Sequence, residues 1–305
     1  GHLRVIVSTT FAETRKLGAG VVGLVPTMGF LHEGHLSHIS KSADANDTTI
    51  VSLFVNPTQF DDPADLERYP RDFERDRDLA FSAGADVLFA PDVLEMYSGD
   101  PLASVVVSKV TDHMEGPRRP GHFEGVATVV AKLFAGIQPD VAYFGRKDAQ
   151  QVAVITTMAR DLSFPVRIEP GSTVRERDGL ALSSRNVFLA EADRERASVI
   201  SKSLFDAADL IEQGEPDAGA IESVCGAALG DLDELEYVQL ADQSTAQPMG
   251  TLDRPAFLAV AGTVGSTRLI DNIAIDRIDG RWVVDRGERL AEQSMLYGER
   301  DAAGR

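Results

Sequence analysis

This chain of 305 residues contains one cysteine, Cys225, so it can form no disulfide within itself and has no thiolate cluster for a metal. It is short of positive charge: 30 Lys and Arg stand against 48 Asp and Glu, a net charge of −18. A duplex-binding protein needs a basic face against phosphates, so nucleic acid is not an expected partner. An anionic ligand must instead find a local basic pocket. No apolar run approaches the roughly 18 residues that a membrane-spanning helix needs. No basic stretch leads into an apolar core near the start, and a cytoplasmic protein without a membrane partner is expected. The phosphate-loop pattern, GxxxxGK followed by Ser or Thr, does not occur. Gly18-Ala19-Gly20-Val21-Val22-Gly23 matches GxGxxG, but a dinucleotide fingerprint follows its strand, and these glycines precede one.

The first half alternates apolar runs with helical patterns. Val21–Val25, Thr49–Val55, Asp86–Phe89, Val105–Val107, Val141–Phe144 and Val166–Ile168 read as buried strands. Pro26, Pro57 and Pro91 stop three of them, since proline cannot donate to a ladder. Helical spacing marks Leu36, Ile39 and Ala43, and then 72–83, 124–136 and 148–160. Strand–helix alternation predicts an α/β fold, a Rossmann-like doubly wound parallel sheet. The character changes after about residue 173. Ala197, Ile200, Leu204, Ala208 and Ile211 form one stripe, a helix is expected over 217–229, and strands over 236–240, 257–261 and 268–275. The expected organisation is a first domain over 1–173, a smaller α+β domain over 174–280, and a charged, weakly ordered tail over 281–305.

Polar clusters sit where strands give way to helices. Ligands of open α/β sheets bind beyond the carboxyl ends of strands, so this placement is informative. Pro26-Thr27-Met28-Gly29-Phe30-Leu31-His32-Glu33-Gly34-His35 follows the first strand. The helix starting near Gly34 offers unpaired N–H groups and a positive dipole end to a phosphate. His35 adds a donor for charge developing on an α-phosphate. His32, His35 and His38, at successive i+3 steps, are alternatively metal ligands. Asn56 and Gln59, in Phe54-Val55-Asn56-Pro57-Thr58-Gln59-Phe60, are amides suited to orienting a polar ligand. Arg118 and Arg119, between Pro117 and Pro120, suit a carboxylate or phosphate. In Gly145-Arg146-Lys147-Asp148-Ala149-Gln150-Gln151, Lys147 can reach a phosphate, and Asp148 either caps a helix or helps hold Mg²⁺. Val174 to Asn186 contains the turn signal Asp178-Gly179 and then Leu182-Ser183-Ser184-Arg185, able to wrap a polyphosphate. The inventory suits nucleotidyl transfer by an enzyme that handles ATP. A lid is expected near 60–70, opening at Asp61-Asp62-Pro63.

Taken together, PTMGxLHxGH, FVNPxQF, YPR, RPGHFxGV, FGxKDxQQ and RExDGLAxSSRN, in order over 25–186, resemble the pantoate–β-alanine ligase family, nucleotidyltransferases with HxGH and a second, KMSKS-like loop. Thr267 to Ile275 resembles that family's final strand. The resemblance implies that ATP and (R)-pantoate give pantoyl adenylate and pyrophosphate, after which β-alanine displaces AMP. By it, His32, His35, Lys147, Ser183, Ser184 and Arg185 are the catalytic set, His35 being the proton donor. Pro26, Met28, Gly29, Gly145, Asp148, Val174 and Leu182 join them around ATP. Gln59, Gln151, Asn56 and Arg119 take pantoate or β-alanine. Asp76 and Asp148 are the candidate Mg²⁺ contacts, and a homodimer is implied. Leu182 stands where the family commonly has Met, a volume-conserving exchange.

Overall fold

Alternating apolar side chains bury both faces of the first sheet. The computed structural model describes residues 6–301, with side chains through 298. Strands β1 (Ile6–Ser8), β2 (Val22–Thr27), β3 (Thr48–Leu53), β4 (Val87–Phe89), β5 (Val141–Gly145) and β6 (Arg167–Gly171) form one sheet in the order β1-β4-β3-β2-β5-β6. The pairings of β1 with β4, β4 with β3, β3 with β2 and β2 with β5 are parallel. Helices in this half are α1 (Phe11–Leu17), α2 (Glu33–Ala45), α3 (Pro63–Arg68), α4 (Phe73–Ser82), α5 (Val93–Met96), α6 (Glu115–Arg118), α7 (His122–Ile137) and α8 (Ala149–Asp161). Val25, Val51, Leu88 and Tyr143 share a cluster with Leu31, Ile39 and Ala80, of the loop after β2, α2 and α4. Their strand neighbours point the other way, where Phe89 meets Phe11 of α1 and Phe144 meets Phe134 of α7. Helices therefore cover both faces, the arrangement of a Rossmann-like sheet.

The strand order reverses beside β2, with β3 on one side and β5 on the other. That reversal is the topological switch point, where such sheets bind ligands. Two expectations differ from what is found. Val105–Val107 is not a strand: Val105 N–H donates to Thr128 Oγ1 instead of a ladder, and Val106 is exposed. β1 was not expected, being only three residues long. Gly18 and Gly20 precede β2, whereas Gly23 lies inside it and pairs with Thr49 and Val141.

The second half holds β7 (Val174–Arg175), α9 (Glu191–Ala197), α10 (Val199–Glu212), α11 (Ala218–Ala227), β8 (Glu234–Asp242), β9 (Ala256–Val264), β10 (Thr267–Ile278), β11 (Arg281–Asp285) and β12 (Glu288–Arg289). β11-β10-β9-β8 is an antiparallel sheet, so this is a smaller α+β layer pair. The stripe Ala197, Ile200, Leu204, Ala208 and Ile211 is buried in one cluster with Leu240, Leu258 and Ile273. Cys225 lies in the same cluster, and burial pushes its thiol up to about 11, so it is an inert packing residue.

Residues 281–289 are not a loose extension. β11 pairs antiparallel with β10, and β12 pairs parallel with β7, because the unpaired edges of both strands offer backbone partners. Residues 302–305 of the tail lie outside the described residues. By contacts the chain divides into two compact units. One takes the described part of Gly1–Thr111 with Glu115–Phe144 and Val154–Gly171. The other takes Asp112–Met114, Gly145–Ala153 and the described part of Ser172–Arg305. The lysine-bearing turn after β5 thus groups with the second unit rather than the first.

Candidate active site

In the first unit, β2 hands over to a loop whose shape is set by its neighbours. Thr27 Oγ1 donates to Ser52 O at 2.9 Å and accepts from Gly29 N at 3.2 Å. Phe30 takes a left-handed φ of 51°, a costly conformation for an aromatic residue. The Asp76 carboxylate of α4 compensates by accepting from Phe30 N and Leu31 N, both at 2.8 Å. Arg75 lies 5.0 Å over the Phe30 ring and 3.4 Å from Asp76. Burial pushes the Asp76 carboxyl above its ordinary range, against the two N–H groups and Arg75, which hold it down. Both Asp76 oxygens are therefore committed to the loop.

The loop ends in a capping box at the start of α2. His32 is the N-cap, and its Nδ1 accepts from Gly34 N at 3.1 Å. His35 Nδ1 accepts from His32 N at 3.1 Å. An accepting Nδ1 carries no proton, so each ring bears its proton on Nε2. The rings lie 4.1 Å apart. Gly34 is required by close approach: a Cβ there would sit 2.8 Å from His32 Cε1. Burial, then the nearby His38 and Arg75, pulls the His35 imidazole from 6.5 to about 3, so it is neutral at ordinary pH. His38 is pulled to about 4, chiefly by burial. Its Nδ1 is buried without a partner, and its ring lies against Gly171. Among the described residues no group of three or more His, Cys, Asp or Glu is placed to hold a metal, and the three histidines do not converge as ligands.

Beyond β3, Asn56 is buried and uses its whole hydrogen-bonding capacity. Nδ2 donates to Gln59 Oε1 at 2.9 Å and Gly125 O at 3.2 Å. Oδ1 accepts from Tyr97 OH at 2.9 Å and Thr58 Oγ1 at 2.9 Å. Asn56 thus fixes the Gln59 amide with its oxygen inward and its NH₂ available to donate. His122 Nδ1 lies 2.9 Å from Gln59 O, and Arg119 Nη1 lies 3.3 Å from His122 Nε2. A chain Arg119–His122–Gln59–Asn56–Tyr97 results.

In the second unit, the turn Gly145–Asp148 is clamped by Asn272 of β10. Its Nδ2 donates to Arg146 O and Lys147 O, each at 2.8 Å. Arg146 is paired with Asp276 and Asp285, at 3.4 and 3.5 Å. Lys147 makes no ion pair among the described residues, which leaves its charge for a ligand. Gln150 is buried and its side chain donates to His113 O at 2.9 Å, so of the two glutamines Gln151 is the one whose side chain makes no hydrogen bond among the described residues. Leu182 is buried, with its N–H donating to Val174 O at 2.9 Å. Ser183 Oγ accepts from Arg185 N at 3.2 Å, and Arg185 projects outward. Arg175 supports this loop from inside. It is fully buried, and all five of its N–H donors are satisfied: Asp271 at 2.6 and 3.0 Å, Gly179 O, Asn272 O and Arg286 O.

Sequence patterns named candidate site residues but not all of the residues that hold them. Tyr97, His122, Asn272 and Arg175 received no role. His122 lies inside RPGHFxGV and Arg175 inside RExDGLAxSSRN. Asn272, a buried polar residue in an apolar strand, was the readable signal for a partner.

The family model described as pantoate-beta-alanine ligase matches residues 4–274. A pantothenate synthetase of Caldicellulosiruptor saccharolyticus is 49% identical over 261 residues, covering 84% of this chain and 92% of the relative. Pantothenate synthetase 1 of Bradyrhizobium diazoefficiens is 49% identical over 276 residues, covering 88% and 98%. The crystal structure of the Thermus thermophilus pantothenate synthetase superposes with a TM-score of 0.83 at 44% identity, covering 88% of this chain and 98% of that one. The Francisella tularensis pantoate-beta-alanine ligase, solved in complex with beta-gamma ATP and beta-alanine, has a TM-score of 0.73 at 33% identity, covering 89% and 98%. This chain belongs to the pantoate–β-alanine ligase family.

Proposed function

We propose that this chain works in two half-reactions: ATP and pantoate give pantoyl adenylate and pyrophosphate, and the amine of β-alanine then displaces AMP. The overall reaction is ATP-dependent condensation of pantoate with β-alanine to pantothenate. The observation that carries the reading is the paired histidines. Both rings have Nδ1 tied to backbone N–H groups at the N-terminus of α2, beside the switch point, which puts the proton of each on Nε2. That is a ready donor set for phosphate oxygens.

A carboxylate attacking a triphosphate meets like charge. Lys147 and Arg185 offset it, and Ser183 and Ser184 hold the β- and γ-phosphates. Pro26, Met28, Gly29, Leu182 and the main chain of Gly145 and Val174 line the nucleotide. As in-line attack builds charge on the α-phosphate, His35 donates a hydrogen bond from Nε2 while staying neutral. It acts by positioned polarity rather than as an imidazolium acid, because its proton affinity is so far lowered. Gln59, with its NH₂ turned outward by Asn56, and Gln151 orient pantoate. Asn56 acts through Gln59, and Arg119 through His122. Exclusion of water keeps the adenylate for the amine, and the segment around α3 is the lid.

Magnesium accompanies ATP and lowers the charge of the triphosphate. Asp148 fits a contact to it, since its carboxylate makes no hydrogen bond among the described residues. Asp76 does not fit, its oxygens being held by Phe30 and Leu31. The protein is a cytoplasmic homodimer in this reading; exposed Val93, Leu94, Leu102 and Val106 in the first unit supply apolar surface for association. Among the described residues no helix is long and apolar enough to cross a membrane.

The deciding experiment incubates the protein with ATP, Mg²⁺, pantoate and β-alanine, omitting each in turn, and follows AMP. AMP release that does not require pantoate overturns the reading. Sedimentation at micromolar concentration tests the dimer.

A further inference from the structure

The family match ends at residue 274, yet the chain beyond it is built into the loop that carries Ser183, Ser184 and Arg185. Glu288 N donates to Thr173 O and Leu290 N to Arg175 O, both at 2.8 Å, as β12 lies along β7. Arg286 O accepts from the buried Arg175 Nε at 2.5 Å. Between them, Gly287 has φ 83°, and a Cβ there would sit 2.4 Å from Thr173 O. Only glycine lets the tail approach so closely. Further on, Ser294 and Leu296 are buried, and Tyr297 reaches a polar cluster.

That cluster has Glu176 at its centre. Glu176 Oε2 accepts from Tyr297 OH at 3.1 Å, from Asn186 Nδ2 at 2.8 Å and from Arg194 at 2.8 Å. Arg194 also donates to the Tyr297 hydroxyl, stacks 5.3 Å over its ring, and pairs with Asp178 at 3.1 Å. Asn186 passes the constraint on. Its Nδ2 donates to Ala181 O at 3.0 Å and its N–H to Ser183 O at 3.0 Å, so its side chain and backbone bracket the serines. Glu176 is buried; a carboxylate there must be fully partnered or it is costly. Burial, then the Glu176 charge, pushes the Tyr297 phenol upward, so it remains a donor.

We infer that Tyr297 is a positioning residue for adenylate formation, acting through Glu176 and Asn186 to hold the Ser183–Arg185 loop. This rests on the proposed placing of that loop against the β- and γ-phosphates of ATP. Those phosphates leave as pyrophosphate in the first half-reaction and are absent from the second, so the two halves must respond differently.

Tyr297→Phe keeps the ring over Arg194 and removes only the hydroxyl. In the full-length protein we expect pantoate-dependent ATP–pyrophosphate exchange to slow, or the KM for ATP to rise, by about tenfold, the scale of losing the hydroxyl's two hydrogen bonds, to Glu176 and from Arg194. Pantothenate formation from supplied pantoyl adenylate and β-alanine should not change. Hydrogen–deuterium exchange at amides 181–186 should quicken by a similar factor while α10 is unaffected. Equal slowing of both half-reactions, or unchanged amide exchange in the loop, overturns the inference. If wild-type protein shows no pantoate-dependent exchange, the functional reading falls, and the amide comparison still decides the positioning role.

Discussion

The main-chain N–H of His32 donates to Nδ1 of His35 at 3.1 Å, three residues ahead in the first turn of α2. This one bond sets the tautomer of His35, and burial keeps the ring neutral. The proton then sits on Nε2, and the ring stays neutral at any pH well above about 3.

His35→Ala and Lys147→Ala should each slow pantoate-dependent ATP–pyrophosphate exchange by at least about 10²-fold, the scale of a lost transition-state donor. Near-normal exchange in both would remove them from the chemistry.

Gly34→Ala should damage the same step without touching a ligand-facing atom. The added methyl meets the His32 ring at 2.8 Å and opens the capping box. A loss of about 1 kcal/mol in stability, the value of a cap, is expected together with slowed exchange. Thermal unfolding and exchange kinetics measured together check both halves of the claim.

Stability should depend on the histidines in acid. The native pKa of His35 is about 3 and that of His38 about 4, against 6.5 when unfolded. The unfolded chain therefore binds protons first as pH falls below 6.5. The stability that these neutral rings contribute is complete above 6.5 and is lost as pH falls toward 4. Each group should add a slope of about 1.4 kcal/mol per pH unit over that window. Urea titrations between pH 7 and 4.5 on wild type and His35→Gln read the difference. Parallel stability curves would contradict the buried, neutral assignment.

Tyr97→Phe removes the donor to Asn56 Oδ1 and loosens the Gln59 amide. The KM for pantoate should rise about fivefold, the worth of one hydrogen bond. The KM for β-alanine in the second step should stay as it is. Initial-rate kinetics with each substrate varied separate these outcomes.

Arg175→Met leaves Asp271, 4% exposed and next to Asn272 on β10, buried without its ion-pair partner. A destabilisation of about 3–5 kcal/mol is expected, typical of breaking a buried pair from one side. Chemical denaturation would show it; a loss under about 1 kcal/mol would mean that water reaches Asp271.

Much of this was legible in residue order. Apolar runs marked β2 to β5, and the 3.6 period of Ile200, Leu204 and Ala208 marked α10. Polar clusters stood at the ends of β2, β3 and β5, and the six motifs in order located the candidate site and the family. Val105–Val107 misled because an apolar run marks burial, not ladder partners. The tail misled because its charge hid a strand pairing with β10.

Strand and helix patterns are local, since residues at a fixed spacing along the chain share a face, and the candidate site residues are legible by type and spacing. The supports could not be read that way. Asp76 under Phe30, Arg175 against Asp271, Asn272 on the Lys147 turn and Tyr297 on Glu176 join residues 46 to 126 positions apart. Such pairs exist because burial obliges each polar group to find a partner, and which partner it finds depends on how the folded chain brings remote segments within 3 Å.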